Sequence, residues 1–217
     1  MTLRVEGLGY TYPGWPPTLV GVDLEVGDAE SGFLLGPSGS GKSTLLRCIA
    51  GLETPDAGRV LVGGGRVDGL PAHRRGIGLM AQEPALFPHL DAAGNVAFGL
   101  PYRGVPRRER RAEAVRWLDL VGLADRADAA VDELSGGQRS RVALARTLAA
   151  RPRAVLLDEP LSGLDPDRRQ ALGATVKRLL AEQRVPALWV THDPAEAGRL
   201  ADRAWRLEAG RAVPEPV

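Results

Sequence analysis

The sequence predicts an α/β fold with a mostly parallel sheet, and three observations carry that reading. The stretch Gly36–Thr44 fits the pattern G-x-x-x-x-G-K-[ST] and lies between a short apolar run, Phe33-Leu34-Leu35, and a helical stretch. A second apolar run, Ala154–Leu157, ends in paired carboxylates, Asp158-Glu159. A third, Val185–Val190, ends in Thr191-His192-Asp193. Buried strands that end in polar, chemistry-bearing residues are what an open α/β sheet presents at its ligand edge. A chain of 217 residues can bury a sizeable core as one domain with room for a subdomain.

The loop itself consists of Gly36, Pro37, Ser38, Gly39, Ser40, Gly41, Lys42, Ser43 and Thr44. Its glycines let the backbone curl so that several N–H groups point at one anion. Lys42 adds a point charge for the β/γ-phosphates of a nucleotide, and Ser43 offers a hydroxyl to Mg²⁺. The following helix, Thr44–Ala50, turns its positive end toward the phosphates, with Leu45, Cys48, Ile49 and Leu52 forming the expected core stripe. Only two of the chain's 28 basic residues are lysine, Lys42 and Lys177. A lysine kept in this loop by so arginine-rich a chain points to a need for a compact ammonium.

Composition narrows the class. Hydrophobic and charged contents of 44% and 25% are those of an ordinary globular protein. A formal net charge of +1 argues against nucleic acid as the main partner. One cysteine, Cys48, excludes an intrachain disulfide and fits a reducing compartment. Met1–Glu6 does not read as a signal peptide, and no run of 18 apolar residues occurs, so the expectation is a cytoplasmic protein that does not itself span a membrane.

In chain order, Leu3–Glu6 and Leu19–Val26 alternate as half-buried strands do. The turn-rich loop between them carries Tyr10, Tyr12 and Trp15, which either stack on a nucleotide base or pack on the core. Arg59–Val62 reads as a hairpin strand, and Gly76–Met80 as a buried strand that leaves Gln82 at its end, either as a ligand group or simply solvated. Leu86-Phe87-Pro88-His89-Leu90 is apolar for a loop, fit for docking or for core packing. Pro106–Gly122 predicts a helix burying Val115, Leu118 and Val121, with a basic, solvated start at Arg107–Arg111.

Ser135 followed by Gln138 is a capping box for a helix carrying Val142, Leu144, Ala145 and Leu148. Gly136 and Gly137 in its first turn are costly in a helix, and make sense where an anion must approach the backbone closely, as a second phosphate site. Asp158, at the end of its strand, is placed to hold Mg²⁺, and Glu159 to act as general base toward water. Asp165-Pro166 starts a helix with Leu172, Val176 and Leu179 on its buried face. Asp193, Pro194 and Glu196 begin another, leaving His192 free at a strand end for a ligand. Ala204–Leu207 and Arg211–Val213 close the chain as two short strands.

The phosphate loop, Gln82, Leu134-Ser135-Gly136-Gly137-Gln138, Leu156-Leu157-Asp158-Glu159-Pro160, Ser162-Gly163-Leu164-Asp165 and Thr191-His192-Asp193, in this order, resemble the ATP-binding subunit of an ABC transporter over essentially the whole chain. The resemblance implies a P-loop NTPase core, approximately residues 1–85 and 150–217, with an N-terminal antiparallel β part and an inserted α-helical subdomain at 86–149. It implies ATP and Mg²⁺ as the bound species. Tyr12 would stack on adenine, with Tyr10 as the fallback; Lys42 and the loop backbone would hold the phosphates. Ser43 and Gln82 would bind Mg²⁺, and Asp158 would reach it through water. Glu159 would activate the hydrolytic water and His192 would contact the γ-phosphate. Ser135, Gly136, Gly137 and Gln138 would serve the ATP of a second copy, with Asp165 lining a head-to-tail dimer interface.

The pattern is similar to that of bacterial importer ATPases without a C-terminal regulatory domain. The implied partners are membrane permease subunits, met by Leu86, Phe87 and Pro88, together with a substrate-binding protein; the implied place is the inner face of the cell membrane. An exporter or lipid-extraction ATPase, or a soluble ABC protein, is the alternative. Ser-Gly-Leu-Asp at 162–165 departs from the commoner Ser-Ala-Leu-Asp, and Arg139-Ser140-Arg141 lacks the usual middle glutamine; neither touches a catalytic position.

Overall fold

The computed structural model describes residues 1–217. The chain runs β1 (Leu3–Thr11), β2 (Pro17–Val26), β3 (Ser31–Leu35), α1 (Lys42–Ala50), β4 (Ala57–Val62), β5 (Gly65–Arg66) and β6 (Ile77–Met80). Three helices follow, α2 (Ala92–Ala97), α3 (Arg107–Leu120) and α4 (Gly136–Ala149). Then come β7 (Ala154–Asp158), α5 (Pro166–Glu182), β8 (Ala187–Val190), α6 (Pro194–Leu200), β9 (Arg203–Glu208) and β10 (Arg211–Glu215).

Two compact units form. The first comprises Met1–Leu79, Arg153–Glu159 and Val176–Val217. It contains an antiparallel sheet of order β2-β1-β4-β5, while the larger sheet has the order β10-β9-β3-β8-β7-β6. In the larger sheet β9, β3, β8 and β7 run parallel, and β10 adds an antiparallel edge. β3, β7 and β8 are buried throughout, which is why they read as unbroken apolar runs. One core joins both sheets to α1: Val5, Leu24 and Val60 meet Leu45, Ile49, Leu156 and Leu188 there.

The second unit comprises Met80–Pro152 and Pro160–Thr175. In it α2, α3 and α4 pack on one another. Leu118, Val142 and Leu144 are fully buried, and Leu134 nearly so.

Four packing expectations are corrected. Leu52 is 60% exposed, because α1 stops at Gly51 in a left-handed turn (φ 83°) and Leu52 falls beyond the helical repeat. On α3 the buried stripe is Ala114, Trp117, Leu118 and then Val121, so Trp117 takes the place expected of Val115. On α5 the stripe is Leu172, Val176 and Leu180, a strict four-residue step that leaves Leu179 half-buried. Tyr10 belongs to β1 rather than to a loop, and is buried.

Candidate nucleotide site

Parallel pairing brings three strand ends of the first unit level. Leu34 pairs with Val190, and Val190 with Asp158. The residues that follow β3 and β8, together with Asp158 and Glu159, therefore share one edge of the sheet, where open α/β sheets bind ligands.

The phosphate loop turns on Gly36, Gly39 and Gly41 at φ 147°, 79° and 101°. A Cβ at Gly36 would sit 2.8 Å from the Leu207 carbonyl oxygen, so glycine is required there. α1 starts directly after Gly41 without a side-chain cap, leaving its first-turn N–H groups open to an anion. Lys42 is buried and donates to the carbonyl oxygens of Gly36 (2.8 Å) and Pro37 (2.7 Å). Burial pulls its pKa down, while the carboxylates of Glu159 and Asp158 hold it up.

Asp158 is buried, and burial raises its carboxyl above the usual carboxylate range. A hydrogen bond from Ser43 works against that shift, Glu159 adds to it, and Lys42 and Arg47 oppose it. A serine hydroxyl bonded to a desolvated carboxylate is a hard-oxygen donor pair, which suits Mg²⁺ held with a nucleotide's phosphates. No cluster of three or more His, Cys, Asp or Glu that could hold a metal ion exists in the chain.

Glu159 has its backbone in the left-handed region, φ 50°, where a non-glycine residue is strained. Its N–H donates to the Val190 carbonyl at 2.9 Å, which fixes that geometry. Glu159 Oε1 lies 3.0 Å from His192 Nδ1. His192 is itself largely exposed, while the Glu159 side chain is only 20% exposed.

Thr191 sets the turn that presents His192. It is buried, donates through Oγ1 to Glu196 Oε2 (3.0 Å) and accepts from the Asp193 N–H (3.1 Å). Asp193 caps α6 by accepting from the Ala195 N–H. The sequence marked Thr191 as part of Thr191-His192-Asp193 but not its role in holding the turn, since a buried threonine after a strand resembles strand continuation.

The two tyrosines separate. Tyr12 OH lies 3.2 Å from Thr44 Oγ1 of the phosphate loop. Tyr10 packs edge-on against Tyr12, with ring centroids 4.9 Å apart, and its hydroxyl donates to Glu53 Oε2. Burial and that carboxylate push the Tyr10 phenol up to about 12.

In the second unit Gln82 is exposed, two residues past the end of β6. Ser135 caps α4 reciprocally: its Oγ accepts from the Gln138 N–H, and Gln138 Oε1 accepts from the Ser135 N–H. A Cβ at Gly136 would meet nothing within 4 Å, so that first turn is open to an approaching group. Asp165 Oδ1 accepts from the Arg168 N–H at the start of α5.

Phe87 stacks at a tilt on Phe98, with centroids 4.3 Å apart, and the Arg146 guanidinium sits 5.4 Å over its ring. Asn95 pins the Phe87 backbone from both sides, accepting from its N–H and donating to its carbonyl. Phe98 is half exposed. Its partnership with Phe87 was not legible in the sequence, because the turn at residues 88–91 folds α2 back so that its C-cap residue meets Phe87, a course no repeat predicts.

A glycine loop at the end of a buried parallel strand, a buried lysine folded into it, and a strand-end carboxylate bonded to the loop serine define a P-loop nucleotide-binding domain. Comparison with known proteins narrows the class: the chain belongs to the ABC transporter family, whose profile matches residues 19–162. It is 50% identical over 198 residues to the Fe(3+) ions import ATP-binding protein FbpC of Streptomyces avermitilis, covering 91% of this chain and 57% of that protein. It is 51% identical over 195 residues to the spermidine/putrescine import ATP-binding protein PotA of Frankia alni, covering 90% and 42%. The chain thus spans about half the length of these relatives. Among solved structures it superposes on a dimeric, post-hydrolysis state of the ATP-binding cassette MJ0796 bound to ADP and Pi, with TM-score 0.90, 31% identity, and 98% and 97% of the two chains covered. No helix is long and apolar enough to cross a membrane.

Proposed function

We propose that this chain is the ATP-hydrolysing subunit of an ABC importer, working on the cytoplasmic face of the membrane through separate permease subunits. The observation that carries the reading is the Glu159–His192 contact of 3.0 Å, in the same unit as the phosphate loop and the Ser43–Asp158 pair. A general base, the group that orients it and a phosphate cradle are the parts that phosphoryl transfer to water requires.

In this reading Tyr12 stacks on adenine, while Lys42 and the backbone of residues 36–44 hold the phosphates. Ser43 and Asp158 would hold Mg²⁺, which when bound would supply positive charge at the phosphate oxygens. Glu159 accepts a proton from the attacking water as the new P–O bond forms and the bond to the ADP oxygen breaks. His192 contacts the γ-phosphate and fixes the Glu159 carboxylate. The nucleotide is closed over by a second copy in head-to-tail arrangement, with Ser135, Gly136, Gly137 and Gln138 as its contacts and Asp165 at the interface. ATP favours that closed dimer through contacts it makes only there, and hydrolysis removes them.

The importer reading is supported by relatives at 50% and 51% identity that are import ATP-binding proteins. Those two serve iron and polyamines respectively, so this chain's pattern names a motor and not a cargo. Leu86, Phe87 and Pro88 are the proposed contact with the permease, and a substrate-binding protein completes the system. The test is direct: the purified chain should bind ATP and release phosphate from it. Lys42→Ala should lose ATP binding by at least tenfold, and equal binding by that variant would reject the loop as the phosphate cradle.

A further inference from the structure

We propose that Arg75 is a positioning residue of the phosphate loop, acting on the nucleotide from the far end of α1; the proposal rests on the nucleotide-binding reading above. Arg75 is 3% exposed. Four of a guanidinium's five N–H donors are used, and every acceptor is a main-chain carbonyl. Nη1 donates to Cys48 and Ile49 at 2.9 Å each, Nη2 to Asp68 at 2.8 Å, and Nε to Leu70 at 2.9 Å.

Cys48 and Ile49 lie in the last turn of α1, and Asp68 and Leu70 follow β5. One side chain therefore ties the end of the phosphate helix to the segment beyond the β4–β5 hairpin. The Asp68 carboxylate is engaged elsewhere, with Arg66 and the Val60 N–H, so Arg75 is directed at the backbone. The surroundings make room for it: a Cβ at Gly51 would lie 2.4 Å from Arg75 Nε, and Gly51 adopts φ 83°.

The consequence reaches the other end of the helix. α1 spans nine residues, a rod about 13 Å long. Its first turn carries Lys42, Ser43 and Thr44 and the open N–H groups. A helix whose last turn is tied by two hydrogen bonds from Arg75, itself held by two more to Asp68 and Leu70, resists sliding or tilting at its other end, and phosphate binding through fixed donors depends on such placement. The charge also matters: a cation at the negative end of the helix leaves the field of the positive end unopposed at the phosphates. Arg75 touches no nucleotide in this scheme. It holds and polarises the element that does.

The experiment uses the full chain, with calorimetric titration of MgATP and a thermal melt for each of Arg75→Gln, Arg75→Lys and Gly51→Ala. Arg75→Gln, titrated well below its melting temperature, should bind ATP about tenfold more weakly. Arg75→Lys, which keeps the charge but not the fork, should lose about threefold, and Gly51→Ala, which crowds the guanidinium, a similar amount. A lowered melting temperature with wild-type affinity in Arg75→Gln would overturn the proposal and leave Arg75 a packing residue. If that variant does not fold, wild-type affinity in both Arg75→Lys and Gly51→Ala overturns it equally. A wild-type chain that binds no ATP would instead sink the nucleotide reading itself.

Discussion

Gly137 and Gly163 face each other in the second unit: a Cβ on Gly137 would lie 3.4 Å from the Gly163 carbonyl oxygen, and Gly163 sits at φ 74°. Gly163 is the residue where this chain has Ser-Gly-Leu-Asp in place of the commoner Ser-Ala-Leu-Asp. Its left-handed backbone explains the tolerance for glycine, since a Cβ in that region costs ~1–2 kcal/mol. Gly163→Ala is expected to lower the melting temperature by about 2–4 °C for each such kcal/mol in a domain of this size. A melt that does not move would show that the loop relaxes to negative φ at no cost.

Asp158 predicts a pH dependence with a definite sign. Burial raises its pKa in the folded chain, so the folded state binds that proton more tightly than the unfolded state does. The stability this group contributes is fully present below the ordinary carboxylate pKa and is lost as pH rises through the raised value. At neutral pH the ionised carboxylate is a cost to the nucleotide-free protein. Asp158→Asn, which keeps an oxygen for Ser43, should melt higher than wild type at pH 7.5, and the gap should shrink as the pH falls through the raised value. A gap of equal size at both ends of the titration would rule this out. The same substitution should weaken Mg²⁺-dependent ATP binding, the familiar conflict between a poised site and a stable one.

Much of the first unit was legible because its signals are local. The glycine spacing of residues 36–44 dictates a loop, and the unbroken apolar runs of β3, β7 and β8 dictate buried parallel strands. Ser135 with Gln138, and Asp193 ahead of Pro194, give caps readable from composition alone, and the structure forms both. What escaped depends on partners distant in the chain. Leu52 looked like the next step of a stripe, but a left-handed Gly51 ends the helix one residue earlier. Trp117 is buried instead of Val115 because periodicity gives the spacing of a stripe but only weakly its phase. Arg75 follows another arginine and precedes a glycine, a context that suggests a solvated turn. Only the arrangement of four carbonyls around it reveals a buried cation.

Phe87 gives the sharpest test of the permease contact. Its ring lies between Phe98 and Arg146, and Asn95 fixes its backbone, so it is a rigid and partly exposed anchor of the kind that carries binding energy at interfaces. Phe87→Ala should reduce recovery of the membrane subunit in co-purification by at least fivefold, while Phe87→Tyr should retain it. Wild-type recovery with the alanine variant would assign Phe87 to packing within its own unit.

Glu159→Gln separates binding from chemistry. The amide preserves the size of the side chain and can still meet His192 Nδ1, so the loop, Lys42 and the strained backbone at residue 159 are left as they are. What is lost is the ability to take a proton from water, a function worth ~10²–10⁴ in rate. The variant is therefore expected to bind ATP as tightly as wild type and to turn over slower by about that factor. On the proposed scheme, in which hydrolysis releases the closed dimer, the variant should also elute as a dimer in ATP and as a monomer in ADP when followed by light scattering. Turnover at the wild-type rate would remove Glu159 from the role of base. Slow turnover without an ATP-dependent dimer would keep Glu159 as base, but deny that Ser135 and Gly137 of a second copy complete the site.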